Sequence, residues 1–300
     1  MSPDAIAALL PLALIAAGAL LKISKLVKDE TFDQFPAFLF SVCYPCIILQ
    51  TIGKLKFGEI VSENAYAAAF SAAFTFFSLL IGLLIAKHIR EDDKKPVAVF
   101  AAAINNSTYV GLPIAQLLFG ARGVAFMIIF GVVQDLFVWT VGYRMFSREK
   151  MKNIFGAFKN PVMASVALAL ALSIAGAPRI PIFDEITQTI GSVTVPLALL
   201  YLGCALAKHG NAFKRIKIKT AAVSAIKIIF IPAAAALILN LLPVDDFHKN
   251  VSVLAAALPV PLLTVVLSVQ FEKNREFAVE LLLCSTIMFV PVFFIWRNFL

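Results

Sequence analysis

This chain of 300 residues contains ten long apolar stretches, which restrict the folds that it can adopt. At about 1.5 Å per residue, each stretch can cross about 30 Å of hydrocarbon as an α-helix. Lipid offers no hydrogen-bond partner to an open strand edge, so we expect an all-α protein with ten transmembrane helices. The stretches are residues 5–21, 35–53, 64–86, 97–119, 123–143, 161–177, 186–207, 220–242, 250–271 and 277–296, numbered here as spans 1 to 10.

The composition agrees with an integral membrane protein. Hydrophobic residues make up 61% of the chain and charged residues 15%, whereas a soluble domain has about 45–50% and about 25%. Most enzymes, nucleic-acid-binding proteins and secreted modules are thereby excluded. The net charge of +8 needs no nucleic acid, because cytoplasmic loops collect Lys and Arg. The four cysteines lie in apolar stretches, and we predict no disulfide, metal site or cofactor.

The basic residues predict the orientation in the cell membrane. Of the 26 Lys and Arg residues, 19 lie in the odd-numbered connections, 6 lie in the even-numbered connections and tails, and Lys227 lies within a span. The positive-inside rule makes the odd connections cytoplasmic, so both termini should face outward. Span 1 follows Asp4 rather than a basic segment, so we expect it to be retained as a helix and not cleaved as a signal peptide.

The spans divide into two sets of five, residues 1–146 and 147–300. An odd number of spans per half gives the halves opposite orientations in the membrane, which is typical of inverted-repeat secondary transporters. The fourth span of each half carries proline, Pro113 in span 4 and both Pro259 and Pro261 in span 9. Because proline removes a backbone donor, we expect broken helices at these places, lining a cavity in the protein.

The most polar residues of any span precede Pro113. They include Asn105, Asn106, Tyr109 and Gly111, and the two amides lie about 15 Å into the membrane. Hydrogen bonding between helices is the alternative interpretation. Two adjacent asparagines together with a glycine and a proline favour a substrate site.

These residues resemble a known family, the auxin efflux carriers of plants and bacteria. The segment Asn106–Pro113 is similar to the family's Asn-x-x-aromatic-x-Gly-x-Pro motif in its fourth helix. The resemblance covers nearly the whole chain in order, and the long cytoplasmic loop of some plant members is absent. Its other motifs are Pro45, Gln134 with Trp139–Gly142, Asn160-Pro161, Pro196 and Leu258-Pro259-Val260.

The resemblance implies two inverted five-helix repeats with spans 4 and 9 crossing at their prolines, as in bile-acid symporters and cation–proton antiporters. It also implies a scaffold of spans 1, 2, 6 and 7, a moving bundle of the other spans, and elevator-type alternating access. The resemblance implies organic anions as substrates, either auxin-like acids or small carboxylates. It is also compatible with a homodimer. The candidate substrate-binding residues are Asn105, Asn106, Tyr109, Gly111, Pro113, Gln134, Pro259, Pro261 and Thr264.

An anion is also favoured by the residues themselves. The helix that follows each break would present a partial positive charge and unpaired N–H groups toward the crossing. No span contains Arg, so a bidentate carboxylate clamp is not expected.

Three ionisable residues lie within spans, and such groups normally face the protein interior or water. Glu280 is close enough to the cytoplasmic start of span 10 to reach the interface. Asp135 has a short side chain and must be neutral, hydrated or paired. One interpretation is an Asp135–Lys227 ion pair, with Lys227 standing where a coupling cation would otherwise sit. The other interpretation is a pair, or solvated groups, without a role in transport.

The alternative function is a sodium-coupled symporter or a cation–proton antiporter of the same fold. Such carriers need carboxylate, amide or hydroxyl oxygens around a hard cation, which Asp135, Asn105, Asn106 and Gln134 could supply. An intramembrane enzyme is not expected, because no histidine lies within a span. A primary pump is excluded by the lack of a phosphate-binding glycine loop.

Overall fold

The computed structural model describes residues 3–28, 30, 34–35, 38–52, 57–147, 161–178, 180–208 and 216–297, and every regular element in these ranges is helical. The α-helices are α1 (Pro3–Ile23), α2 (Tyr44–Ile52), α3 (Phe57–Lys87), α4 (Lys95–Ala103), α5 (Leu112–Phe137), α6 (Tyr143–Ser147), α7 (Pro161–Ile174), α8 (Pro181–Ser192), α9 (Thr194–Lys208), α10 (Ile218–Ala225), α11 (Ile231–Asn240), α12 (Asp246–Ala257), α13 (Leu263–Gln270) and α14 (Arg275–Arg297).

Single π-helical turns lead directly into four of these helices. Three of them are followed by a proline at the second position of the next α-helix, namely Pro45, Pro113 and Pro232. A proline ring collides with the carbonyl four residues earlier, and a locally widened turn relieves that collision. The turns are Leu39–Cys43 before α2, Ser107–Gly111 before α5, Val138–Gly142 before α6 and Ile226–Phe230 before α11.

In the described ranges, most of each predicted apolar stretch lies on one helix or on consecutive helices. Within the described ranges, five helical segments are long and apolar enough to cross a membrane, which agrees with the predicted helical membrane protein. Shorter apolar helices lie on spans 1, 2 and 6. The count of ten crossings and the sides of the termini stay predictions. The five segments are Ala65–Lys87, Lys95–Phe146, Pro181–Lys208, Ile218–Asn240 and Arg275–Phe293.

Spans 4 and 5 follow one another within the segment Lys95–Phe146, and α5 contains parts of both. Gly120 interrupts α5 with φ +60° and ψ −149°, a backbone conformation that a residue with a Cβ rarely adopts. Several sequence predictions fall outside the described residues. They are Asn160, most of the connection between the predicted halves (residues 148–160), and the basic residues Lys54, Lys56, Arg179, Lys214 and Arg215.

The chain forms two compact units, and each draws on both predicted halves. Unit 1 comprises Met1–Ala65, Leu112–Ile128 and Asn153–Lys208, and so contains spans 1, 2, 6 and 7. Unit 2 comprises Tyr66–Gly111, Ile129–Lys152 and His209–Leu300, and so contains spans 3, 8, 9 and 10 with the greater parts of spans 4 and 5. The repeats 1–146 and 147–300 are therefore a prediction about topology and do not coincide with compact units.

In unit 1, α1 packs along α9 with their backbones in close contact. A Cβ added to Gly18 would overlap the carbonyl oxygen of Leu200, and one added to Gly203 would overlap that of Ile15. The thiol of Cys204 donates to the carbonyl oxygen of Gly18 at 3.0 Å. Small residues allow such close helix approach in membranes, where packing rather than hydrophobic burial drives association.

In unit 2, side chains of α4, α6, α10, α13 and α14 share one apolar core. Phe100 of α4 packs edge-on against Phe146 of α6, with ring centroids 5.5 Å apart. Val260, between α12 and α13, and Leu281 of α14 are buried in the same cluster. Ile104, which follows α4, belongs to the same core.

The close contact in unit 1 predicts a steep sensitivity to size at Gly18. We expect Gly18→Leu to lower the midpoint temperature of unfolding in detergent, because overpacking costs about 1–3 kcal/mol or more. Ala16→Leu is the matched control, since Ala16 lies on the same helix and is exposed. Equal effects of the two substitutions, measured by thermal unfolding of the purified protein, would contradict the close packing of α1 on α9.

Candidate functional site

Span 4 is broken at Ile104–Asn106. Helix α4 ends at Ala103, Ile104 is extended with φ −104° and ψ 140°, and the π-helical turn begins at Ser107. The break expected at Pro113 is therefore wrong in position. Pro113 lies in the first turn of α5, where an N–H is not needed, and in unit 1.

Span 9 is broken where the sequence predicted it. Helix α12 ends at Ala257, Leu258 is extended with φ −62° and ψ 143°, and α13 begins at Leu263. Pro259 and Pro261 lie in the non-helical segment between them. Two prolines within three residues leave too few N–H donors for a helix to continue.

The two breaks meet in unit 2. The backbone N–H of Asn106 donates to the carbonyl oxygen of Pro259 at 2.9 Å. The side-chain amide of Asn105 donates to the carbonyl oxygens of Ala255 at 2.5 Å and Ala256 at 3.3 Å. Both carbonyls belong to the C-terminal turn of α12, where helix geometry provides few donors, and that of Ala255 also accepts the N–H of Leu258 at 3.4 Å. The asparagines of span 4 thus satisfy backbone groups that the break in span 9 exposes.

Gln134 of α5 satisfies the exposed backbone of span 4. Its Oε1 accepts the backbone N–H of Asn105 at 3.0 Å, and its Nε2 donates to the carbonyl oxygen of Ala103 at 3.2 Å. The same Nε2 lies 3.3 Å from Oγ1 of Thr75 on α3, to which it also donates. Gln134 therefore bridges both sides of the break and ties them to a third helix.

Lys227, in the π-helical turn Ile226–Phe230, reaches the same place from span 8. Its ammonium donates to the carbonyl oxygen of Ala102 at 2.9 Å and to Oδ1 of Asn105 at 2.5 Å. The expected Asp135–Lys227 ion pair is not formed among the described residues. Asp135 is half-buried on α5, and the acceptors of Lys227 are an amide and a helix-end carbonyl instead of a carboxylate.

Asn106 has a different environment from Asn105. Its Oδ1 accepts the backbone N–H of Tyr109 at 3.1 Å, and its carbonyl oxygen accepts the N–H groups of Val110 at 3.3 Å and Gly111 at 3.0 Å. These bonds fix the orientation of the side-chain amide. The structure gives Nδ2 of Asn106 no hydrogen-bond partner among the described residues. This amide nitrogen is therefore available to donate to a ligand.

Thr264 lies in the first turn of α13, just beyond the second break. Its side chain is buried, and Oγ1 has no hydrogen-bond partner among the residues that the structure describes. Its backbone N–H donates to the carbonyl oxygen of Pro261 at 3.0 Å. A buried hydroxyl without a partner costs free energy, which a bound ligand or water would recover.

Sequence reasoning missed two polar residues of this network. Thr75 accepts from Gln134, and Ser285 of α14 accepts the backbone N–H of Val260 through its Oγ at 3.0 Å. The signal for Thr75 was present, because Ser71, Thr75 and Ser78 recur at helical spacing in an otherwise apolar span. Ser285 carries no comparable pattern.

A second polar region lies at Glu280. Glu280 is 3% exposed and accepts a hydrogen bond from Oγ1 of Thr220 at 2.7 Å. It lines a cavity of about 470 Å³ together with charged residues of the neighbouring loops and helix ends. These are Glu91, Lys94, Lys217, Lys219 and Glu276.

The bonds of Gln134 predict that its amide is needed for stability. Gln134→Leu keeps the volume but leaves the N–H of Asn105 and the carbonyl of Ala103 buried without partners, at about 1–3 kcal/mol each. We expect a lower midpoint temperature of unfolding than in wild type. Gln270→Leu, at an exposed position of α13, is the matched control. If the two variants unfold together, Gln134 does not hold the break.

Comparison with known proteins places this sequence in a family. A family model described as "Membrane transport protein" matches residues 4–156 and 150–297. An uncharacterized transporter of Methanocaldococcus jannaschii is 25% identical over 298 residues, which is 96% of each chain. An uncharacterized transporter of Methanothermobacter thermautotrophicus is 23% identical over 290 residues, 95% of this chain and 94% of the relative. The protein is thus a membrane transporter and not an enzyme, and it belongs to the auxin efflux carrier family of membrane transport proteins.

Proposed function

We propose that the protein is a secondary transporter that moves small organic anions, with the crossing of spans 4 and 9 as its substrate site. The observation that carries this proposal is the hydrogen bond from Asn106 to Pro259, which joins two helix breaks. Irregular backbone at membrane depth is tolerated only where it is buried in protein or lines a cavity. In secondary transporters, discontinuous helices of this kind form the binding site.

The orientation of the Asn106 amide supports an anion as the substrate. Its oxygen is occupied by the N–H of Tyr109, so an approaching ligand meets the Nδ2 donor. The turn that follows Asn106 and the helix α13 both begin at the crossing, and helix N-termini favour negative charge. A carboxylate accepts hydrogen bonds and donates none, so it can accept from Nδ2 of Asn106 and from the N–H groups at these helix starts.

The composition of the two units supports an elevator-type mechanism with inverted repeats. Unit 1 contains the first and second span of each predicted half, and unit 2 contains the third span of each half together with span 10 and most of span 5. Two inverted five-helix repeats would produce such a matched division. In our proposal unit 1 is the scaffold, and unit 2 carries the substrate between the two sides of the membrane.

The two asparagines should separate binding from stability. Asn106→Ala removes one donor to the carboxylate and should weaken binding about 10- to 150-fold, corresponding to about 1.5–3 kcal/mol. Asn105→Ala removes the bonds to Ala255, Ala256 and Lys227, so it should lower the unfolding temperature more than the affinity. The measurement is a thermal-shift titration of purified variants with a panel of small carboxylates and indole acids.

Asn240→Ala, at the exposed end of α11, is the control for these variants. Uptake of the tightest-binding acid into proteoliposomes then tests transport itself. If Asn106→Ala binds this acid as tightly as wild type, the substrate site is not at the crossing. If no acid of the panel binds to or is transported by wild type, the anion proposal fails.

Thr264 offers a second test of the same site. Thr264→Val keeps the shape and removes a hydroxyl that has no partner among the described residues, so the fold should be as stable as wild type or more stable. If the hydroxyl donates to substrate, affinity should fall about 2- to 13-fold, equivalent to about 0.5–1.5 kcal/mol. Thr286→Val is the control, because Thr286 donates within its own helix to Leu282. Unchanged affinity in Thr264→Val would remove Thr264 from the site.

A further inference from the structure

The cavity at Glu280 lies within unit 2 and is separate from the helix crossing. Its walls come from the start of α10, the first turns of α14 and the connection between α3 and α4. None of Asn105, Asn106 and Thr264 lines it. The positive-inside rule predicts that all three walls belong to the cytoplasmic side of the protein. A ligand of this cavity would therefore come from the cytoplasm and would not compete directly for the crossing.

The wall formed by α14 is acidic. Glu276 and Glu280 lie one helical turn apart, so they share a face of this helix, and both line the cavity. The hydroxyl of Thr220 donates to Oε2 of Glu280 at 2.7 Å. The structure gives Oε1 of Glu280 no hydrogen-bond partner, and this carboxylate no ion pair, among the described residues. One neutral donor offsets little of the cost of burying a carboxylate, which a bound cationic group would recover.

The wall formed by the start of α10 is positive. Lys217 and Lys219 line the cavity beside the first turn of this helix. Lys217 is the N-cap residue, and its side chain makes no capping hydrogen bond. The first N–H groups of a helix have no partner within it and carry a partial positive charge. This wall therefore suits an anionic group such as a carboxylate.

The charges that line the cavity balance. Lys94 pairs with Glu91 at 3.0 Å, and its Nζ lies 5.8 Å from the centroid of the Phe277 ring. Apart from this pair, two lysines remain on the α10 wall and two glutamates on the α14 wall. A ligand with a net charge is attracted by one wall and repelled by the other, whereas a zwitterion is attracted by both.

We propose that this cavity binds a small amino acid, a molecule with one ammonium and one carboxylate group. The ammonium contacts the carboxylate of Glu280, and the carboxylate contacts the first turn of α10 with Lys217 and Lys219. A volume of about 470 Å³ lies within the range of small-molecule sites. This site is additional to the proposed substrate site and does not rest on the proposed function.

Thermal-shift titration of the purified protein tests the site. The probes are glycine, L-alanine, β-alanine and 4-aminobutyrate, which differ in the spacing between their two charges. At least one of them should raise the midpoint temperature of unfolding in a saturable way, because a ligand of the folded state stabilises that state. n-Butylammonium and butyrate each carry only one of the two charges, and each should bind this cavity more weakly than the best amino acid.

Substitutions on the two walls identify the site. Glu280→Gln keeps the size and the acceptor for Thr220 but removes the charge, and it should weaken binding of the best amino acid about 10- to 150-fold. Lys217→Met combined with Lys219→Met removes two exposed charges and should weaken it about 2- to 30-fold. Glu272→Gln is the matched control, because Glu272 is exposed and does not line the cavity.

Three results would overturn the proposal. They are no shift with any amino acid of the panel, full affinity in Glu280→Gln, and binding of n-butylammonium as tight as that of the best amino acid. The lysine substitutions lie at exposed positions, so they provide the same test if Glu280→Gln does not fold. Full affinity in the double lysine variant would contradict the carboxylate half of the site.

The tests of this site and of the crossing fail separately. If Asn106→Ala weakens binding of the amino acid and Glu280→Gln does not, the amino acid binds at the crossing and the cavity is not its site. If Glu280→Gln weakens it and Asn106→Ala does not, the cavity site holds, whether or not the carboxylate panel supports the proposed function. Glu280→Gln should bind the carboxylate panel as wild type does.

Discussion

Backbone hydrogen bonding at the two helix breaks is the constraint on which unit 2 depends. Each break exposes N–H and carbonyl groups that lipid cannot satisfy. Asn105, Gln134 and Ser285 supply partners from side chains, and Asn106 with Pro259 supplies one from the two breaks themselves. Without these partners, buried backbone groups at the breaks would lack hydrogen bonds, and the broken helices would be less stable. The polar residues of the apolar spans therefore stabilise the fold, in addition to any role in binding substrate.

Much of the fold could be predicted because lipid makes the sequence signal simple. Apolar length fixes where helices lie, and the paired prolines of span 9 fix its break. The break in span 4 was placed wrongly at Pro113, since a proline after a π-helical turn is tolerated in the first turn of the next helix. The asparagines themselves, which bond to other parts of the chain, determine the true position.

The partners of the buried charges could not be predicted. Asp135 and Lys227 have opposite signs and both lie in spans of the predicted moving bundle, so pairing is the simplest hypothesis from the sequence. The ammonium instead lies against Ala102 and Asn105, groups that become acceptors through the geometry of the break in span 4. A carbonyl that is freed by tertiary structure leaves no trace in the local sequence. The same holds for Ser285, whose role depends on Val260.

The crossing has a consequence for how the protein is made. Asn105 and Ala255 are 150 residues apart, and Asn105 and Lys227 are 122 residues apart. Spans 1 to 5 therefore leave the ribosome long before the side-chain partners of Asn105 in spans 8 and 9 exist, although Gln134 of span 5 is already made. During synthesis, the polar groups of span 4 must be held by water or by the insertion machinery until spans 8 and 9 arrive. Among the early spans, span 4 is thus expected to reach its final packing last. Its packing is the assembly step that should be most sensitive to slow or interrupted translation.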